Sequence, residues 1–231
     1  MNTKIALYAF LILAAAAMPA LGVASVTGST QSTSINIGAG LTASEINVIV
    51  GFFNSSLIVS TLEEPPLAVA QAGQTSDIQP LFIYGVGHTF VITDSDTIPA
   101  THADSFFDVF FDLSVDHLYV LNGGLGTNID GGSNLASFSL TGPGTNILFV
   151  QTGSGTTPIS GSGTLGPGSY ELKVEAVSDG AADTFFFNTA DFDFSVTLRE
   201  TGAVPEPLTS TLLALAGGAL MLSRLGRRHT V

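Results

Sequence analysis

Four acidic residues form two pairs at the spacing of one strand face: Asp108 with Asp112, and Asp191 with Asp193. Paired carboxylates are the chemistry of glycoside hydrolysis, in which one acid protonates the leaving oxygen and the other attacks or activates water. They also have a simpler use, since acids alternating with apolar residues keep a strand's outer face wet and discourage pairing with a foreign edge. A third set, Asp94-Ser95-Asp96-Thr97, lies in an apparent loop and offers hard oxygen ligands two residues apart. Asp94 and Asp96 are therefore candidate ligands for Ca²⁺, although no complete EF-hand or glycine–aspartate repeat surrounds them. His88, His102 and His117 are scattered, without H-E-x-x-H spacing. His102-Ala103-Asp104 and Asp116-His117 could each give a metal only two ligands. The serines sit mostly in turn-like Gly/Ser/Thr clusters, and none occupies a G-x-S-x-G elbow. The expectation is a protein without an active site.

The elements that must position these residues read as strands. No stretch between Ser25 and Ala203 keeps helical periodicity for more than a few residues. Period-two alternation is clear in Asp191–Leu198 and in Glu171–Val177. Phe107, Val109, Phe111, Leu113 and Val115 share one face, opposite Asp108, Asp112 and Ser114. Ile35 with Ile37, and Ile46 with Val48 and Val50, mark earlier strands. Gly123-Gly124, Gly131-Gly132, Gly142-Pro143-Gly144 and Gly166-Pro167-Gly168 read as turns. Many short strands between turns predict an all-β, antiparallel β-sandwich or jelly-roll-like domain.

Composition limits the partners. The chain has 231 residues and a formal net charge of −13. Between Ser25 and Ala203 the only basic residues are Lys173 and Arg199, so this part should repel nucleic acid and anionic lipid alike. Multivalent cations and neutral glycans are compatible partners. With no cysteine, the fold must hold through its own core, and thiol nucleophiles and thiolate metal sites are excluded. Tryptophan, a common platform for sugar rings, is absent too.

The two ends have a different character. Residues 1–24 carry Lys4, the apolar run Ile5–Ala17, and small-residue sites at Ala20-Leu21-Gly22 and Gly22-Val23-Ala24. This is the pattern of a signal peptide, with cleavage between Gly22 and Ser25 and export through the Sec-type machinery and signal peptidase. At the other end, Val204-Pro205-Glu206-Pro207 precedes an apolar stretch from Leu208 to Leu222, followed by Arg224, Arg227 and Arg228. The prolines forbid helix before Leu208 and leave an extended, accessible segment. At ~1.5 Å per residue the apolar stretch makes a helix of about 22 Å, against a hydrocarbon core of about 30 Å. A transmembrane helix over 208–223 is thus a marginal span, and the arginines after it place the C-terminus in the cytoplasm.

This tail, 204–231, resembles the PEP-CTERM sorting signal in all four parts and their order. The resemblance implies processing near Pro205-Glu206-Pro207 by an exosortase-type membrane transpeptidase, in a Gram-negative bacterium that makes exopolysaccharide. Within the body, 25–203, the stretch 104–198 is similar to the pre-peptidase C-terminal β-sandwich. Phe106–Leu113, Ser137–Gly142, Gly163–Leu172 and the final Phe-rich strand carry that likeness, which implies a fold more than an activity. Two readings of function follow. The first is a non-catalytic, structural or adhesive protein of the cell surface or biofilm matrix, anchored in the inner membrane only until it is processed. The second is a carbohydrate-binding module that stacks sugars on aromatic loop residues such as Tyr84, Tyr119 or Tyr170.

Overall fold

A computed structural model describes residues 23–38, 40–61, 68–93, 100–180 and 185–201. The predicted signal and transmembrane helices, the sorting tail, Asp94 and Asp96 all lie outside these residues. Among the described residues there are twelve strands: β1 (Ala24–Ile37), β2 (Leu41–Asn47), β3 (Phe52–Ser60), β4 (Ala68–Gln79), β5 (Phe82–Thr93), β6 (Thr101–Leu113), β7 (His117–Asn128), β8 (Ser133–Gly142), β9 (Thr145–Gln151), β10 (Gly155–Leu165), β11 (Gly168–Gly180) and β12 (Phe186–Glu200). They form two six-stranded sheets, β2-β1-β6-β11-β8-β9 and β10-β7-β12-β5-β4-β3. Every pairing is antiparallel, and the two sheets make a β-sandwich. Each sheet mixes strands from both halves of the sequence: β1 pairs with β6, and β5 with β12.

Alternation sets the faces. In β12, Phe192, Phe194 and Val196 are buried while Asp191 and Asp193 are exposed. In β6, Phe107, Val109, Phe111 and Leu113 point inward, with Asp108 and Asp112 on the other face. Phe194 lies edge-on to Phe107 and Phe138, with ring centroids 5.1 and 5.6 Å away, which fastens one sheet to the other. Such pairs contribute about 0.5–1.5 kcal/mol each beyond their buried area.

The interior is not apolar throughout. A large cluster around Phe107, Phe138 and Phe194 is separate from a smaller one formed by Ile35, Ile37, Val91, Phe186 and neighbouring alanines. Buried polar side chains run between them. Thr33 and Ser55 share a hydrogen bond of 2.6 Å, and Ser76 donates to Gln31. Thr89 and Ser178 meet at 2.8 Å. The Gln74 amide nitrogen donates to the carbonyls of Phe106 and Ser32 at 2.9 and 3.2 Å. Because each of these groups has a partner, the cost of taking it out of water is largely offset.

The sequence reading needs four corrections here. The strands are not short, running from 7 to 15 residues. Serines 29, 55, 76, 105 and 178 are interior strand residues, not turn residues. Val48 and Val50 belong to the exposed bend after β2, and Val115 to the turn after β6, because the pairing has already ended there. Finally, Gly123-Gly124 is no turn but the middle of β7. Gly123 holds φ +153°, and a Cβ there would lie 2.1 Å from the Asp193 carbonyl oxygen on β12, so the glycine is required by close strand approach.

Gly123→Ala should therefore destabilise the protein by about 2–4 kcal/mol, combining backbone strain with a clash against main chain. Gly144, in the β8–β9 turn, also has positive φ (+67°) but open space around it. Gly144→Ala should cost only about 1 kcal/mol. Urea unfolding followed by circular dichroism compares the two, and equal losses would contradict the assignment.

Candidate functional site

The outer face of the second sheet carries the most shaped arrangement of polar groups. Antiparallel register sets Asp191 of β12 between His88 of β5 and Gly126 of β7, and Asp193 between Val86 and Gly124. On β10, Thr156 pairs with Gly126 and Pro158 with Gly124. The outward glycines leave space that neighbouring side chains use. A Cβ on Gly126 would lie 2.2 Å from Asp191 Oδ2, and one on Gly124 would lie 3.3 Å from Asp193 Oδ1. On the other side, a Cβ on Gly73 of β4 would lie 2.3 Å from His88 Cε1, and the ring's Nε2 lies 3.5 Å from Gln71 Nε2. The acids thus lean over β7 and the imidazole over β4. Between them opens a shallow groove of about 360 Å³, lined by His88, Thr156, Asp191, Asp193 and the backbone of Gly124 and Gly126. Partial burial, then the charge of Asp193, raises the Asp191 carboxyl above its usual range, while His88 pulls it down.

The first sheet's outer face is more heavily charged. Asp104, Asp108 and Asp112 of β6 face Glu171, Lys173 and Glu175 of β11. Lys173 pairs across from Asp108 and holds its ammonium 5.0 Å from the centre of the Phe106 ring. His102 Nδ1 lies 2.7 Å from Asp179 Oδ1, and Ser133 donates to that carboxylate's second oxygen at 3.2 Å. Asp104 is pushed up to about 6, first by burial and then by Glu175, with His102 and Lys173 opposing. Burial, followed by Glu171, also raises Asp108. One oxygen of each of these two acids is buried without a hydrogen-bond partner. A wider cavity of about 540 Å³ opens beside the β1 bulge at Val26/Gly28, between Phe110, Asp112 and Glu171.

The two acid pairs singled out from the sequence thus lie on opposite outer faces and cannot act as one constellation. Asp108 and Asp112 are about 13 Å apart along β6, and Asp191 and Asp193 about 7 Å apart along β12, by strand rise. The histidines occupy three different environments. His88 is in the groove, His102 is bonded to Asp179, and His117 is buried at the head of β7 with Nδ1 2.9 Å from the Val115 carbonyl. The tyrosines are not loop residues. Tyr170 is buried in β11, stacked on Phe111 and donating to the Gly166 carbonyl at 2.9 Å. Tyr119 points inward from β7, its ring filling the space over Gly163. Tyr84 alone faces out, half-buried, its ring 6.5 Å from that of Phe82 and within 3° of parallel. Among the described residues no cluster of three or more His, Asp or Glu side chains could hold a metal. The sequence reading missed Phe82, Thr156 and the outward glycines, whose shared position appears only once β4, β5, β7, β10 and β12 are in register.

The fold and this groove define a two-sheet antiparallel β-sandwich with a polar cleft on one outer face. No family model matches the chain, and no curated protein matches it. Among solved structures it is similar, over 44% of its length, to a ruminal GH26 endo-β-1,4-mannanase, at 19% identity and a TM-score of 0.21, spanning 19% of that chain. It is also similar, over 56% of its length, to TmCBM61, whose structure is a complex with β-1,4-galactotriose. There the identity is 11%, the TM-score 0.26 and the share of that chain 88%. Likenesses this slight say nothing about ligand or chemistry.

The raised Asp104 carboxyl has a consequence for stability. Its pKa is about 6 in the fold against 3.8 unfolded, so the folded state is favoured by the neutral form. Its contribution is fully present below pH 3.8 and is lost as pH rises through 6. Asp104→Asn should therefore stabilise the protein at pH 7.5 by about 1–2 kcal/mol, allowing for residual solvent contact. It should also flatten the pH 4–6.5 part of the stability profile. Unfolding curves across that range test both, and a variant less stable than the parent at pH 7.5 would contradict the prediction.

Proposed function

We propose that this chain is an exported protein of the cell surface or exopolysaccharide matrix, with a non-catalytic structural or adhesive role. Its signal peptide directs it through the Sec-type machinery, and an exosortase-type enzyme processes its tail. The observation that carries this reading is the ordered tail: Val204-Pro205-Glu206-Pro207, the apolar stretch to Leu222, then Arg224, Arg227 and Arg228. The body fits such a delivery route. Its strands end at Glu200, so only a few residues separate the sandwich from the Pro-Glu-Pro triplet. Both ends of the body are held by one turn. Val23 donates to Ser114 Oγ at 2.7 Å, while Thr201 donates to the Asp116 carbonyl through its N–H (3.0 Å) and its hydroxyl (2.9 Å). The non-catalytic part of the reading is supported by the sequence, which carries neither a G-x-S-x-G elbow nor H-E-x-x-H spacing.

The intact mass of the protein from its native cells tests the route. The expected polypeptide starts at Val23, which keeps the Ser114 contacts and the buried Ala24, and lacks Arg224, Arg227 and Arg228. Recovery of the mature protein with those arginines attached would overturn the sorting assignment. A start at Ser25 would move the signal cleavage to Ala24 and leave the sorting assignment standing.

A further inference from the structure

The geometry points to a binding site for a neutral polysaccharide along the groove on the second sheet's outer face, between His88 and Thr156. The proposal takes its ligand class from the surface or matrix reading above, but its residues come from the fold alone. Glycine in a strand interior loses a packing side chain and weakens the strand, and it often marks a place where a ligand approaches the backbone closely. Here three outward glycines, Gly73, Gly124 and Gly126, lie on strands either side of the β5–β12 pair. Asp191 and His88 lean over Gly126 and Gly73, whereas the place over Gly124 is left largely open and keeps the floor of the groove low beside the two carboxylates.

The groups left at the surface suit a polyhydroxyl chain. Asp191 and Asp193 are acceptors only when ionised, and sugar hydroxyls are donors that can bridge neighbouring acceptors. Burial, and then Asp193, disfavour the charged form of Asp191, and hydroxyl donors would favour it. Thr156 and His88 supply groups that can both donate and accept across the width of the groove. Between β5 and β10 lie three strand spacings, about 14 Å, room for an extended oligosaccharide and not merely a single ring. Further along the same face stand Tyr84 and the near-parallel ring of Phe82, apolar surface of the kind that sugar rings cover. Charge selects within the class. With a net charge of −13 and two carboxylates in the groove, an anionic glycan is repelled.

Biolayer interferometry of the full chain in detergent, over immobilised neutral galactomannan, β-glucan and dextran, tests the site. Alginate serves as the anionic comparator. Binding to at least one neutral polysaccharide is expected, and at least tenfold weaker binding to alginate. Asp191→Asn/Asp193→Asn should weaken it at least tenfold, and Tyr84→Ala about fivefold. Gly124→Val, which fills the floor, should abolish it. All three must keep the parent's melting temperature to within a few degrees. Asp112→Asn, on the opposite face, should bind as the parent does. No binding to any neutral polysaccharide, equal or tighter binding to alginate, or binding indifferent to all three groove variants would overturn the proposal. A correctly trimmed tail with no polysaccharide binding would sink the groove and spare the sorting route; binding by a protein that keeps its arginines would do the reverse.

Discussion

The register of β12 between β5 and β7 is the constraint on which the rest of the molecule depends. A strand alternates its side chains with a period of two, so a slip of one residue would turn Phe192, Phe194 and Val196 to solvent and bury Asp191 and Asp193. What holds the register is the Phe194 ring, edge-on to Phe107 on β6 and Phe138 on β8. Those two strands belong to the other sheet, so one aromatic contact sets both the distance between the sheets and the phase of the strand that carries the acids. The main chain enforces the same phase at Gly123, where β7 approaches the Asp193 carbonyl too closely for any Cβ.

The polar seam through the interior adds a second kind of specification. Apolar contacts are forgiving of exchange, since one buried aliphatic residue fills space much as another does. A buried hydroxyl or amide is not, because it must meet its partner or bear the cost of desolvation. Thr33 with Ser55, Gln31 with Ser76, and Thr89 with Ser178 each join one sheet to the other. A sandwich with no cysteine cannot staple its sheets covalently. The seam fixes their alignment, while the two apolar clusters on either side supply most of the stabilisation.

The sequence was legible where burial is strictly one-sided and illegible where it is not. In β6 from Phe107 to Leu113, in β11 from Leu172 to Ala176 and in β12 from Ala190 to Leu198 every inward position is apolar and most outward ones are polar, so alternation and all-β class could be read directly. In β1 the inward residues include Ser29, Gln31 and Thr33, so pattern alone gives no phase and the hydroxyls pass for turn residues. The glycine pair in β7 misled for a related reason. Gly-Gly most often reports a turn, and nothing local shows that β12 and its leaning carboxylates occupy the missing side-chain volume. The groove was out of reach altogether. It exists only because His88, Gly126, Thr156 and Asp191, far apart in the chain, fall on one cross-strand row. Of the candidate site residues, Asp191 and Asp193 are brought together on one face, while Asp94, Asp96 and the tail lie beyond the described residues.

The two outer faces differ in how they place their charge. On the first sheet, carboxylates crowd against one lysine, and Asp104 and Asp108 each keep a buried oxygen without a partner. Such a face repels its own charges and gains little from precise placement. On the second sheet, glycines give the acids room to lean over β7, and Asp191 and Asp193 stand in a cleft. Val23 and Thr201 both hang from the Ser114–Asp116 turn, immediately before β7 begins. Gly124 and Gly126 lie further along that strand, roughly 25–30 Å from the turn by strand rise. The cleft therefore lies well away from Thr201, where the described body ends.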